Sequence, residues 1–249
     1  MKTWLLESGA QFRPAPPPEL FSQEWARDYS EIKDLGGKSS AKRTTEQTDV
    51  ARFWTVTGPP SWNPVVRPLA AVKDLSLIEK ARLFALAHMA GADALIAVFD
   101  AKYQYNFWRP ITAIRNGDID GNDATDVDLG WTPLVDTPMH PEYPCAHCIT
   151  SAAVGTVLKT EFGTRKVPSI TMTSPAAPGV TRTWERIDDY VEEVANARIW
   201  GGIHYRSSAK AGQAMGRKIG EFAVTNYLKP SAGSLDVTST SSSEPPVKK

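Results

Sequence analysis

The 249-residue sequence predicts a mainly α fold, a helical bundle, on three observations. Apolar residues recur at helical spacing in about six segments, capping signals precede several of them, and alternating strand patterns are nearly absent. Composition agrees: 41% of residues are hydrophobic, and 28 Lys and Arg balance 28 Asp and Glu. Such a chain is neither disordered nor membrane-embedded in bulk, and zero formal charge excludes a broad basic face for nucleic acid or an anionic membrane.

Taken in order, residues 1–18 are expected to be an extended lead-in, 19–229 a single helical domain and 230–249 a disordered tail rich in Ser, Thr and Pro. The first ten residues hold only Trp4, Leu5 and Leu6 as an apolar run, too short for a signal-peptide core, so the chain as written is expected in the cytoplasm. Phe21, Trp25, Tyr29 and Ile32 mark a first helix ending at Gly36 and Gly37. Thr44 and Gln47 spell a capping box for a second, carrying Val50, Phe53 and Trp54. Residues 58–64 read as loop, with Asn63 the expected N-cap of a further turn and Pro64 at its first position.

Ser76 and Glu79 form another capping box, ahead of an Ala- and Leu-rich run to about Tyr105. This is the expected central helix. Arg82, His88 and Asp93 interrupt its apolar stretch, so it reads as a buried helix and not a membrane span. An acidic loop follows from Asn116 to Asp128, expected to be solvated. Asn116, Asp118, Asp120 and Gly121 imitate the start of a calcium loop, but Val127 stands where a bidentate Glu is required. Pro138, Pro141 and Pro144 hold an extended approach to a helix over 146–162, and a short strand is expected at 169–173. The last helices are expected at 184–200 and 208–227.

Three segments place chemistry-bearing residues in apolar or proline-bounded surroundings. Lys102 and Arg109 are seven apart, so a helix continuing through both would set two cations on one face, where they call for an anion. Cys145, Ala146, His147 and Cys148 stand at a helix start, where free N–H groups and the positive dipole end suit an anion and His147 could transfer a proton. Arg198 and His204 would lie about 240° apart on a continuous helix and converge only if Gly201 and Gly202 bend the chain.

Together these segments resemble the signature of the superfamily joining vanadium-dependent haloperoxidases with type 2 phosphatidic acid phosphatases. Lys102, Arg109 and Pro110 match its first block, Pro144 and His147 its second, and Arg198 and His204 its third. Cys145 and Ala146 stand where the pattern has Ser and Gly, Ala197 replaces a Ser, and Ser208 replaces the final Asp. The resemblance implies a helical bundle of the vanadium haloperoxidase and acid phosphatase type, related to soluble bacterial haloperoxidase-like proteins, with vanadate or phosphate in one pocket. In that scheme Lys102, Arg109, Cys145, Ala146 and Arg198 bind the oxyanion. His147 is the acid/base, and His204 ligates vanadium or attacks phosphorus. His140, Phe99 and Trp108 are candidates for the pocket wall, His140 hinting at bromide or iodide. The implied reaction is oxidation of halide by hydrogen peroxide; the alternative is hydrolysis of phosphate esters.

Two departures bear on chemistry. A Cys145 thiolate beside vanadate would be repelled and would be open to peroxide. Ser208 brings no carboxylate to His204, which then needs another partner. Cys145 and Cys148 also have the spelling of a thiol–disulfide oxidoreductase site, although no strand pattern precedes them. An oxyanion-binding protein without turnover is a further alternative, and self-association is left open.

Overall fold

The computed structural model describes residues 1–72 and 74–229; the tail expected to be disordered lies outside the described residues. Helices α1 (Gln23–Gly36), α2 (Thr45–Phe53), α3 (Asn63–Val72), α4 (Leu77–Tyr105), α5 (Pro110–Ile114) and α6 (Ala146–Phe162) are followed by a hairpin, β1 (Ile170–Ser174) with β2 (Ala177–Trp184). Helices α7 (Ile187–Trp200) and α8 (Arg206–Asn226) complete the fold.

The capping boxes do what their spelling implies. Thr44 Oγ1 accepts from Gln47 N at 3.1 Å while Gln47 Oε1 accepts from Thr44 N at 2.9 Å. Ser76 and Glu79 repeat the exchange at the head of α4. Asn63 is the first residue of α3 and not its cap, because a tight 3-10 turn at Pro59–Ser61 leads straight into the helix.

Helix α4 is long and apolar enough by length and composition to cross a membrane, yet half of that stretch is buried inside this fold. It packs with α8 on α6, whose Ile149, Ala152, Ala153, Val154, Val157 and Leu158 are buried. Close approach of α6 and α8 depends on glycine. A Cβ at Gly216 would stand 2.1 Å from the carbonyl oxygen of Ile149. Asp93 of α4, wholly buried, accepts from the backbone N–H groups of Trp4, Leu5 and Leu6 at 2.7–2.9 Å, fastening the lead-in to the bundle.

Four local expectations are corrected. Helix α4 stops at Tyr105, where Asn106 takes a left-handed conformation (φ 47°), so Lys102 and Arg109 are not joined by one helix; Pro110 opens α5 instead. The single expected strand is half of a hairpin, in which Ile170 pairs with Trp184. Trp184 therefore ends β2, and α7 begins at Ile187. The acidic loop is not simply solvated: Asp120 is buried and accepts from Trp25 Nε1 and Thr125 Oγ1, both at 2.8 Å. Its carboxylate is spent inside the protein. Among the described residues no cluster of three or more His, Cys, Asp or Glu side chains could hold a metal ion.

Candidate active site

A cavity of about 860 Å³ opens between the loop after α2, the middle of α4, the segment 134–140, and the facing ends of α6 and α7. Phe99, His140, Ala146, His147, Arg198 and His204 line it, with Trp54, Trp62, Leu95 and Tyr190 as apolar wall. The fold brings these six sequence-predicted residues to one cavity. Lys102, Arg109, Cys145 and Trp108 are not among the lining residues.

Arg198 and His204 meet because the chain bends after α7. Gly202 has φ +79°, and both Ile203 N and His204 N return to the carbonyl of Arg198. Any Cβ at Gly202 would lie 2.3 Å from the carbonyl oxygen of Gly36, so glycine is required twice over. The bend replaces helical phase with a tight turn, which is why six residues suffice to put both side chains in one cavity.

His204 is 2% exposed, and its Nδ1 lies 2.7 Å from Oε1 of the fully buried Glu142. Arg109 Nη1 points at the other ring nitrogen, Nε2, at 3.4 Å. A guanidinium can only donate, so Nε2 carries the lone pair and Nδ1 the proton, which Glu142 accepts. Burial first, then Arg109, Lys102 and Arg198, hold His204 well below its ordinary pKa of 6.5, so the ring is neutral. Glu142 is the residue that sequence reasoning passed over. Its signal was a carboxylate inside the proline-bounded, otherwise apolar segment 141–145, a setting too costly for an unpaired charge.

Lys102 is completely buried and donates to the carbonyls of Pro141 (2.9 Å) and Glu142 (2.7 Å), leaving one of its three donors uncommitted. Burial depresses the lysine and raises the carboxyl of Glu142, and their mutual attraction opposes both shifts. Arg109 is held by the carbonyls of His140 and Ile203 at 3.0 and 2.7 Å and by His140 Nδ1 at 3.1 Å. Arg198 donates through Nη1 to Trp54 O at 2.5 Å, while its buried Nε has no partner. Burial, followed by repulsion from Arg109, lowers its pKa to about 9, which still leaves it charged at neutral pH.

His147 lines the cavity at the first turn of α6, and its Nε2 donates to the carbonyl of Val56 at 3.0 Å. Its lone pair is therefore at Nδ1. Cys145, expected as an oxyanion donor, is corrected: its sulfur is bonded to Cys148 and packs against Ala195, Ile199 and Ala209. A disulfide has no proton to donate. Trp108, expected in the pocket wall, instead stacks on Trp25 at 5.9 Å in a separate aromatic cluster. No strand precedes Cys145, so the βαβ setting of a thioredoxin-like site is absent among the described residues.

This arrangement suits a tetrahedral oxyanion: a guanidinium with one unpaired nitrogen and a neutral imidazole line the cavity, and the charges of Lys102 and Arg109 act on that imidazole from beside it. A sequence model of the VCPO second helical-bundle domain matches residues 82–233, more than half of the chain and the whole stretch from Lys102 to His204. The chain belongs to that family. Vanadium chloroperoxidase from Curvularia inaequalis is 29% identical, over 61% of this chain and 30% of that protein. A solved bacterial vanadium-dependent iodoperoxidase is 31% identical with a TM-score of 0.71, covering 90% of this chain and 55% of that one. A bacterial vanadium-dependent chloroperoxidase in its holo form has the same fold, with a TM-score of 0.71 at 20% identity, over 89% of this chain and 52% of that one. This member of the vanadium chloroperoxidase family thus spans less than a third of the curated relative and about half of each solved structure.

Proposed function

We propose that this chain carries a vanadate-dependent haloperoxidase site, oxidising halide with hydrogen peroxide. One observation carries the reading: His204, held by Glu142, and Arg198, whose buried Nε has no partner, line the same cavity. Family membership and the names of the relatives favour peroxidase over phosphatase chemistry.

Arg198 would bind the anion through Nε, and Lys102 and Arg109 would balance its charge from beside the cavity. His204 would ligate through Nε2, and the first turn of α6 would present Ala146 to an oxygen. Vanadate, when bound, supplies Lewis-acid activation of peroxide. His147, with Nε2 fixed on Val56, would take up and return a proton at Nδ1. The disulfide keeps Cys145 from meeting peroxide as a thiolate.

The test is vanadate loading of the full chain followed by iodide and bromide oxidation with peroxide, run beside hydrolysis of p-nitrophenyl phosphate. Halide oxidation lost in His204→Ala is the expected result. Ester hydrolysis inhibited by vanadate would instead establish the phosphatase alternative, and tight vanadate binding with neither activity an oxyanion-binding protein. Activity undiminished in His204→Ala would end the assignment.

A further inference from the structure

Two positions converge on Nδ1 of His204 from different elements. Glu142, in the loop before α6, brings Oε1 to 2.7 Å. Ser208, in the first turn of α8, brings its hydroxyl only to 3.5 Å, the outer limit for a hydrogen bond. We propose that Glu142 is the positioning residue of the oxyanion site, supplying from the loop the carboxylate that α8 lacks at Ser208 and so fixing His204 as an Nδ1–H tautomer with Nε2 facing the anion. This rests on the oxyanion reading above and deepens it, by giving the carboxylate beside His204 a stated task.

The surroundings hold Glu142 to that task. Its backbone N–H donates to Phe107 O at 2.9 Å, and its carbonyl accepts from Lys102 Nζ at 2.7 Å, so both ends of its peptide are anchored. Oε1 also accepts from Tyr205 N at 3.1 Å, the residue directly after His204. One oxygen therefore fixes the imidazole and the backbone that carries it. Ser208 and Glu142 are both wholly buried, so the pair is shielded from bulk solvent. Lys102 and Arg109 both stand close enough to oppose part of the cost of burying this carboxyl. An imidazole held this way has a more basic Nε2 and no freedom to rotate, the two properties a ligand nitrogen needs.

The convergence makes a swap experiment decisive. In Glu142→Gln the shape remains and the charge is gone, and orthovanadate affinity, measured by titration of the metal-free chain, is expected to fall by about 10- to 100-fold. The double variant Glu142→Gln with Ser208→Asp returns a carboxylate to the same nitrogen from the other side and is expected to recover most of that loss. Ser208→Asp alone crowds two buried carboxylates on one proton and is expected to bind more weakly than wild type. Nitrogen-15 spectra of the wild-type chain give a reading independent of any variant: His204 should be protonated at Nδ1. A His204 protonated at Nε2, unchanged affinity in Glu142→Gln, or a folded double variant no better than Glu142→Gln would each overturn the proposal. Failure of the wild-type chain to bind orthovanadate would instead overturn the oxyanion reading, and the proposal with it.

Discussion

Arg198 gives Nη1 to the carbonyl oxygen of Trp54 and leaves its buried Nε without a partner. A buried, unpaired, charged donor costs roughly 1–3 kcal/mol or more, which an oxyanion in the cavity would return. Orthovanadate or phosphate should therefore raise the melting temperature, with a gain of about 2.7 kcal/mol at a ligand concentration 100 times Kd. Arg198→Ala should lose most of that shift. Arg198→Lys should recover little, since an ammonium cannot both reach Trp54 and present a second donor plane to the anion. A ligand shift of equal size in Arg198→Ala would show that the anion sits elsewhere.

The Cys145–Cys148 disulfide leads to a second prediction. Thiol titration of the denatured, unreduced protein should find no free sulfhydryl, and two per chain after reduction. Intact chain should keep its orthovanadate affinity after exposure to peroxide, while reduced chain, with a thiol at the head of α6, should be sensitive to it. Insulin reduction should not be accelerated beyond dithiothreitol alone. Acceleration would favour the oxidoreductase reading of this pair.

Much of this was legible along the chain, for physical reasons that differ by residue. Thr44 and Ser76 announced their helices because a capping box is a local exchange between neighbours three apart. Arg198 and His204 were paired by the family resemblance, and Gly201 and Gly202 permitted the bend that their convergence needs. Glu142 was not assigned to His204, since a contact across 62 residues leaves no periodic trace. Trp54 and Val56 hold Arg198 and His147 through backbone carbonyls, which carry no side-chain signature at all. The end of α4 near Tyr105 was legible, whereas the β-strand identity of Trp184 was decided by its pairing with Ile170 across the hairpin, which overrode the local helical pattern.

Acid should destabilise the fold before its exposed carboxylates titrate. His140 is lowered from 6.5 to about 4 by burial, then by the neighbouring cations Lys102 and Arg109. His147 and His204 are likewise held well below 6.5. Between about 6.5 and about 4 the unfolded chain thus binds imidazole protons that the folded chain does not. Stability from these groups is complete above 6.5 and is lost as pH falls, at up to about 1.4 kcal/mol per pH unit for each proton. Glu142 and Asp28, raised by burial, take up protons on folding and act in the opposite sense, but three histidines outnumber two carboxylates. Urea midpoints should fall across that window, and less steeply in His140→Asn. A midpoint that is flat or rises on acidification would contradict the buried neutral histidines.

Helices α6 and α8 meet through glycines four residues apart, Gly212, Gly216 and Gly220. At Gly216 the nearest atoms to an added Cβ are the backbone oxygen of Ile149 and Cβ of Ala152, at 2.1 and 2.9 Å. Neither is the end of a flexible side chain, so relief requires the helices themselves to part. Gly216→Ala raises intrinsic helix propensity by about 1 kcal/mol, yet overpacking of this kind costs about 1–3 kcal/mol or more, and the steric term should win. The consequence should reach the site, because the same α6 carries Ala146 and His147 at its first turn and α8 carries Ser208 beside His204. Gly216→Ala should lower the melting temperature by several degrees and weaken orthovanadate binding together. Gly163→Ala is the control for destabilisation without a clash between helices, since it is strained by its positive φ while its added Cβ meets nothing within 4 Å. It should lower stability without changing affinity. Equal effects of the two substitutions on orthovanadate affinity would show that the spacing of α6 and α8 does not set the site.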